Sequence, residues 1–75
     1  MSALLIKEQT LKVYRKQMDD IHYGEIVAGD TEGWWRVLLA DVRHDDTVVL
    51  TVRNTSTGEM GELRGNALDY RDVAA

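Results

Sequence analysis

Gly33-Trp34-Trp35-Arg36-Val37-Leu38-Leu39-Ala40-Asp41-Val42, then Arg43-His44-Asp45-Asp46, then Thr47-Val48-Val49-Leu50-Thr51-Val52 is the stretch whose reading decides the fold. Two β-branched and aromatic runs flank a short polar break, the signature of a hairpin. In the first run Trp35, Val37 and Leu39 are expected on one face, with Trp34, Arg36, Leu38 and Ala40 on the other. In the second, Val48, Leu50 and Val52 alternate with Thr47, Val49, Thr51 and Arg53, the period-2 pattern of a half-buried strand. Both Trp residues fall inside this ribbon. A hairpin that apolar is the surface on which the remaining chain packs.

Working outward toward the N-terminus, Gly29 to Gly33 reads as a turn and Ile21 to Ala28 as a strand, with Gly24 as a bulge or close-approach point. Residues 2–18 are ambiguous. Leu4, Leu11 and Met18 recur at seven, with Tyr14 and Ile21 offset by three, an amphipathic-helix spacing. Residues 10–15 also alternate as a strand does, so a helical turn is expected over 3–9 and residues 10–16 stay open to either. Toward the C-terminus, Asn54 to Gly58 is a turn, since Asn and Gly tolerate the left-handed region. Glu59 to Arg64 is a short strand, Gly65 to Leu68 a tight or 3₁₀ turn, and Asp69 to Arg71 a last strand before a fraying tail at 72–75. Five short strands without a βαβ rhythm predict a mainly β chain closed as a small barrel, because closure hides strand edges. The division expected is a basic N-terminal segment, 1–20, packed on a barrel formed by 21–75.

Composition narrows the function. Seventy-five residues make one domain, and so small a chain buries only about 60% of its unfolded surface. There is no Cys, so neither a disulfide nor a thiolate metal site can staple it, and self-association is one remaining route to more buried area. No apolar run approaches the about 18 residues of a membrane span, which makes the cytoplasm the expected location. The net charge of −4 is uneven. Lys7, Lys12, Arg15 and Lys16 against Glu8 leave residues 1–18 at +3, while residues 19–75 carry −7. An acidic body repels phosphate backbones, so nucleic acid is disfavoured unless Lys12, Arg15 and Lys16 act as a local contact.

At the level of family, Gly24-Glu-Ile-Val-Ala-Gly-Asp-Thr-Glu-Gly-Trp-Trp-Arg-Val37 resembles the opening of Tudor-type small barrels, which share the SH3-like architecture. Thr47-Val-Val-Leu-Thr-Val-Arg-Asn54 resembles their next strand, and Met60-Gly-Glu-Leu-Arg-Gly-Asn-Ala-Leu68 their closing strand and single turn. The likeness spans about residues 23–70 and is one of spacing and residue class. It implies a five-stranded SH3/Tudor-like barrel. Tudor domains that read methylated Lys or Arg use an aromatic cage, to which Trp34 and Trp35 would contribute by position. The following strand and turn hold Val52, Arg53, Asn54 and Thr55 where the family places further aromatics, so methyl-ligand reading is not expected. The closing turn also lacks the Pro and Tyr of an SH3 proline-peptide groove.

The chemistry-bearing residues are few. Ser2 and Ser56 have no nucleophile-elbow context, and Glu59 and Glu62 fall on opposite faces of a strand. Asp19-Asp20-Ile21-His22 and His44-Asp45-Asp46 have no metal-site spacing and read as polar turns. No catalysis, cofactor or metal is expected. An exposed Trp is the residue type most enriched at binding hot spots, which makes Trp34, with Arg36, Arg53 and Tyr23, the expected partner contact. The expected function is a small protein-binding or self-associating module, on size alone a bacterial or phage accessory protein. The alternative is a nucleic-acid-associated regulator using the basic N-terminal segment.

Overall fold

The computed structural model describes residues 13–30 and 33–74. They form a mainly β structure with no α-helix among them: β1 (Val13–Gln17), a 3₁₀ turn (Met18–Asp20), β2 (Ile26–Ala28), β3 (Trp34–Val42), β4 (Thr47–Asn54), β5 (Met60–Asn66) and β6 (Tyr70–Ala74). All pairings are antiparallel, in one six-stranded sheet ordered β1-β6-β2-β3-β4-β5. The expected helical turn at 3–9 lies outside the described residues. From Val13 onward the open choice resolves to strand, because Val13 to Gln17 find a partner ladder in β6.

Several expectations change. The sheet has six strands, not five, and β1 and β5 stand at its two ends without a ladder between them, so it is not a closed barrel. The tail does not fray before Ala74: Val73 is buried, and β6 is gripped by β1 on one side and Ile26–Val27 on the other. The strand expected over 21–28 shortens to Ile26–Ala28. Gly24, at φ +88°, reverses the chain in the left-handed region that favours glycine.

The central hairpin forms as expected, closed by the turn through Asp45 and Asp46. Asp45 Oδ1 accepts the Thr47 N–H at 3.0 Å there, and Asp46 takes φ 66°. The face assignment of its first strand holds only to Val37. The β3–β4 register shifts between Val37 and Leu39, a bulge that makes Leu38 the extra residue. Leu39 is thereby turned out to solvent at 60% exposure, and Ala40 is turned in against the core. Val48, Leu50 and Val52 point inward and are fully buried. The core adds Val27, Val37, Leu63, Ala67 and Val73, and is capped by Met18 and Ile21 from the turn after β1. That turn is tied down by Met18 N–H to the Asp69 carbonyl, 2.8 Å, and Asp19 N–H to the Ala67 carbonyl, 3.2 Å. Residues 13–20 are therefore part of the sheet and core that the rest of the chain builds.

Candidate functional site

The residues of the outer face follow from strand register. Arg36 on β3 stands opposite Ile26 on β2 and opposite Arg53 on β4, and Arg53 stands opposite Met60 on β5. Ile26, Arg36, Arg53 and Met60 thus form one row across four strands. Trp34, two residues before Arg36, lies on the same face beside Ala28. It is half-buried, and Thr55 pins its backbone: both the amide and the hydroxyl of Thr55 donate to the Trp34 carbonyl at 3.0 Å. Met60 is 50% exposed, so the row ends in accessible apolar surface. The turn carrying Tyr23, which is 73% exposed, lies at the other side of Arg36, whose Nη1 donates to the Gly24 carbonyl at 3.4 Å.

Charge sets this row apart. Of the seven Lys and Arg among the described residues, five have a carboxylate within 4.0 Å: Arg15–Asp72, Lys16–Glu25, Arg43–Asp41, Arg64–Glu62 and Arg71–Asp30. Arg36 and Arg53 have none among the described residues, and they are direct cross-strand neighbours. Like charges opposite one another in a sheet are destabilising. The pair is the most concentrated uncompensated positive charge on the described surface.

The expected nucleic-acid contacts fare differently. Lys12 lies outside the described residues. Arg15 pairs with Asp72 at 3.9 Å and stacks over the Tyr70 ring, 5.3 Å from its centroid. Lys16 Nζ donates to Glu25 Oε2 at 2.8 Å, while Glu25 Oε1 accepts the His22 N–H, also at 2.8 Å. The hydrogen bond to Glu25 holds the Lys16 ammonium above its usual range. Burial pushes the Glu25 carboxyl up, but Lys16 and the His22 amide outweigh it and hold it below the usual carboxylate range. Both cations are therefore engaged by the chain's own acids, whereas Arg36 and Arg53 are not.

The sequence reading missed the inner side of the sheet. Trp35 lays its six-membered ring on Gly61, where a Cβ would sit 3.4 Å from Cζ3. Beside it is a cavity of about 200 Å³ lined by Asp30, Trp35, Val52, Gly61, Glu62 and Leu63. The indole Nε1 is buried with no hydrogen-bond partner among the described residues. Arg71 holds the lining residue Asp30, donating Nη2 to its Oδ1 at 3.0 Å and Nη1 to the Ala28 carbonyl at 2.9 Å. The cavity falls short of the roughly 300–1,000 Å³ of ordinary small-molecule sites. The absence of a side chain at Gly61, seven residues beyond the hairpin, was the one available signal. Among the described residues no three His, Cys, Asp or Glu side chains cluster as a metal site would need, and no helix is long and apolar enough to cross a membrane.

Comparison with known proteins finds no match to a family model, to a curated protein or to a solved structure.

Proposed function

We propose that the chain is a non-enzymatic protein-binding module that uses its outer face, with Trp34 as the aromatic anchor and Arg36 and Arg53 as paired receptors for carboxylates of a partner. The observation that carries this reading is the Arg36–Arg53 juxtaposition. In an acidic chain whose other described cations all sit by carboxylates, two adjacent arginines without one are maintained at a cost in stability. Guanidinium groups grip carboxylates bidentately, and Ile26, Trp34 and Met60 provide apolar surface on either side. The SH3/Tudor-like reading goes with this proposal. The run β2-β3-β4-β5 as a meander, with β6 returning to β2 after a tight turn, is the order such barrels use, and β1 is an addition on the far side of β6. The cytoplasm remains the proposed location.

The test is capture from the native cell with wild type, Trp34→Ala and the double variant Arg36→Ala/Arg53→Ala in parallel. The partner retained by wild type is expected to be lost from both variants while their circular dichroism is unchanged. Equal capture by all three refutes the reading. Recovery of nucleic acid, released steeply by salt, would favour a regulator that binds phosphate through the same arginines.

A further inference from the structure

The edge of β5 away from β4, unpaired among the described residues, carries a second, independent reading. Asn54 N–H bonds the Glu59 carbonyl at 2.7 Å and Ala67 N–H bonds the Asp46 carbonyl at 2.7 Å. These two bonds, at opposite ends of the β4–β5 ladder, share one register and fix its phase. Antiparallel pairs alternate between hydrogen-bonded and non-hydrogen-bonded, so Gly61, Leu63 and Gly65 direct their backbone groups at β4. Met60, Glu62, Arg64 and Asn66 direct theirs at the open edge. Asn66 is satisfied locally, its N–H by Asp69 Oδ2 and its carbonyl by the Asp69 N–H, both at 3.0 Å. The backbone groups of Met60, Glu62 and Arg64 on that edge have no turn, loop or side-chain partner among the described residues.

An edge of unpaired N–H and C=O groups is a template for another strand, and this one is complementary to itself. We infer that β5 pairs antiparallel with β5 of a second copy of this chain, about a two-fold axis at Leu63. The phase allows a two-fold axis through any residue of β5, and the three central positions are Glu62, Leu63 and Arg64. An axis at Glu62 sets two Glu62 side chains opposite one another, and an axis at Arg64 sets two arginines opposite one another. Only the axis at Leu63 sets each Glu62 against Arg64 of the other copy, twice by symmetry. It also makes both of those pairs hydrogen-bonded, each exchanging two backbone bonds. Gly61 meets Gly65 of the other copy on the inner face, so nothing bulky stands in the way there. Glu62 and Arg64 already lie 3.7 Å apart within one chain, both more than half exposed, and are free to re-pair across the axis. The two six-stranded sheets then continue into one another with their outer faces on the same side. This pairing does not draw on the Arg36–Arg53 row, and either can hold without the other.

Sedimentation equilibrium of the full chain, Glu62→Lys, Arg64→Glu and a one-to-one mixture of those two variants tests it. Wild type is expected to dimerise with concentration. Each variant alone sets like charges across the axis and should weaken the dimer by roughly tenfold or more. The mixture should recover it, since one chain then offers two cations to the other's two anions, although the contact inside each chain stays repulsive. A monomeric wild type, unchanged single variants or a mixture that fails to recover each overturns the inference. Hydrogen exchange on the unsubstituted chain is a second reading that no folding defect can obscure. The Glu62 and Arg64 amides should slow as concentration rises, and amides indifferent to concentration also overturn it. If capture through Trp34 fails while these results hold, only the outer-face proposal falls.

Discussion

Met18→Ala tests whether the turn after β1 is part of the core. Met18 is 1% exposed, and its Sδ accepts a contact from Arg71 Nε at 3.4 Å. Truncation removes Cγ, Sδ and Cε, and at about 0.8 kcal/mol per methylene-sized group the transfer loss alone is about 2 kcal/mol. The cavity left behind adds to this as far as its walls fail to close. One wall is Gly65, where a Cβ would lie 3.3 Å from Met18 Cε and 3.5 Å from Cγ, so no side chain can swing in from that side. The expected loss is therefore about 3–4 kcal/mol, within the roughly 2–5 kcal/mol range for Met→Ala in cores. A domain of this size has about 4–11 kcal/mol in all, so Tm should fall by at least about 10 °C. Urea unfolding followed by Trp fluorescence and circular dichroism measures it, with an unchanged m value indicating an unchanged unfolded state. In the Met18→Ala background, Gly65→Ala should recover part of the loss, because its methyl enters vacated space. A double-mutant cycle reads that coupling. A loss below about 1 kcal/mol would refute the reasoning and make residues 13–20 a peripheral segment.

Backbone conformation and ionisation supply the remaining tests. Asp46 at φ 66° should tolerate Gly within about 1 kcal/mol, whereas Asp46→Val should lose about 1–2 kcal/mol in thermal or urea unfolding; equal stability of the two would refute a left-handed requirement. Gly58, at φ +79° with open space where a Cβ would go, should lose about 1 kcal/mol on substitution by Ala through conformation alone. The Lys16–Glu25 pair gives stability two pH limbs. Glu25 is held below its ordinary 4.5, so its contribution is complete above that value and fades as pH falls through the folded pKa. Lys16 is held above its ordinary 10.5, so its contribution is complete below that value and fades as pH rises through the folded pKa. Glu25→Gln should flatten the alkaline limb and part of the acid limb. The part that remains includes Asp45, held low by the Thr47 amide. Unfolding curves whose pH dependence matches wild type at both ends would show that the pair does not act in this way.

What the sequence made legible was whatever depends on short-range alternation. The hairpin, its turn through Asp45, the inward set Val48, Leu50 and Val52, and the shared face of Arg36 and Arg53 all follow from period two and one polar break. The bulge at Leu38 did not, because an inserted residue leaves the apolar composition of Leu38-Leu39-Ala40 unchanged and alters only the phase. The strand at 13–17 stayed open between helix and strand, and the extension of β6 to Ala74 was missed, for another reason. Each is held by pairing with the other, across more than fifty residues of chain, and neither reads as a long strand alone. The cavity beside Trp35 depended on Gly61 meeting an indole from two strands away, a tertiary fact with no local pattern.

That distinction bears on the outer face. The sum of charges, −4, predicts repulsion of anions by the body as a whole. Sequence position adds that the first eighteen residues are basic, which makes them look like the place where an anion would bind. Placement in the fold reverses this emphasis. Arg15 and Lys16 are drawn onto Asp72 and Glu25, and their fields are largely cancelled within a few ångströms. Arg36 and Arg53, seventeen positions apart in sequence, are brought side by side by the β3–β4 register. Around them the charge is locally positive on a negative molecule. Such a dipolar distribution would orient the proposed acidic partner so that its carboxylates meet the arginines, while the rest of the surface turns it away. Association through this face should therefore slow as salt rises, with dissociation governed mainly by the apolar contacts at Trp34 and Met60.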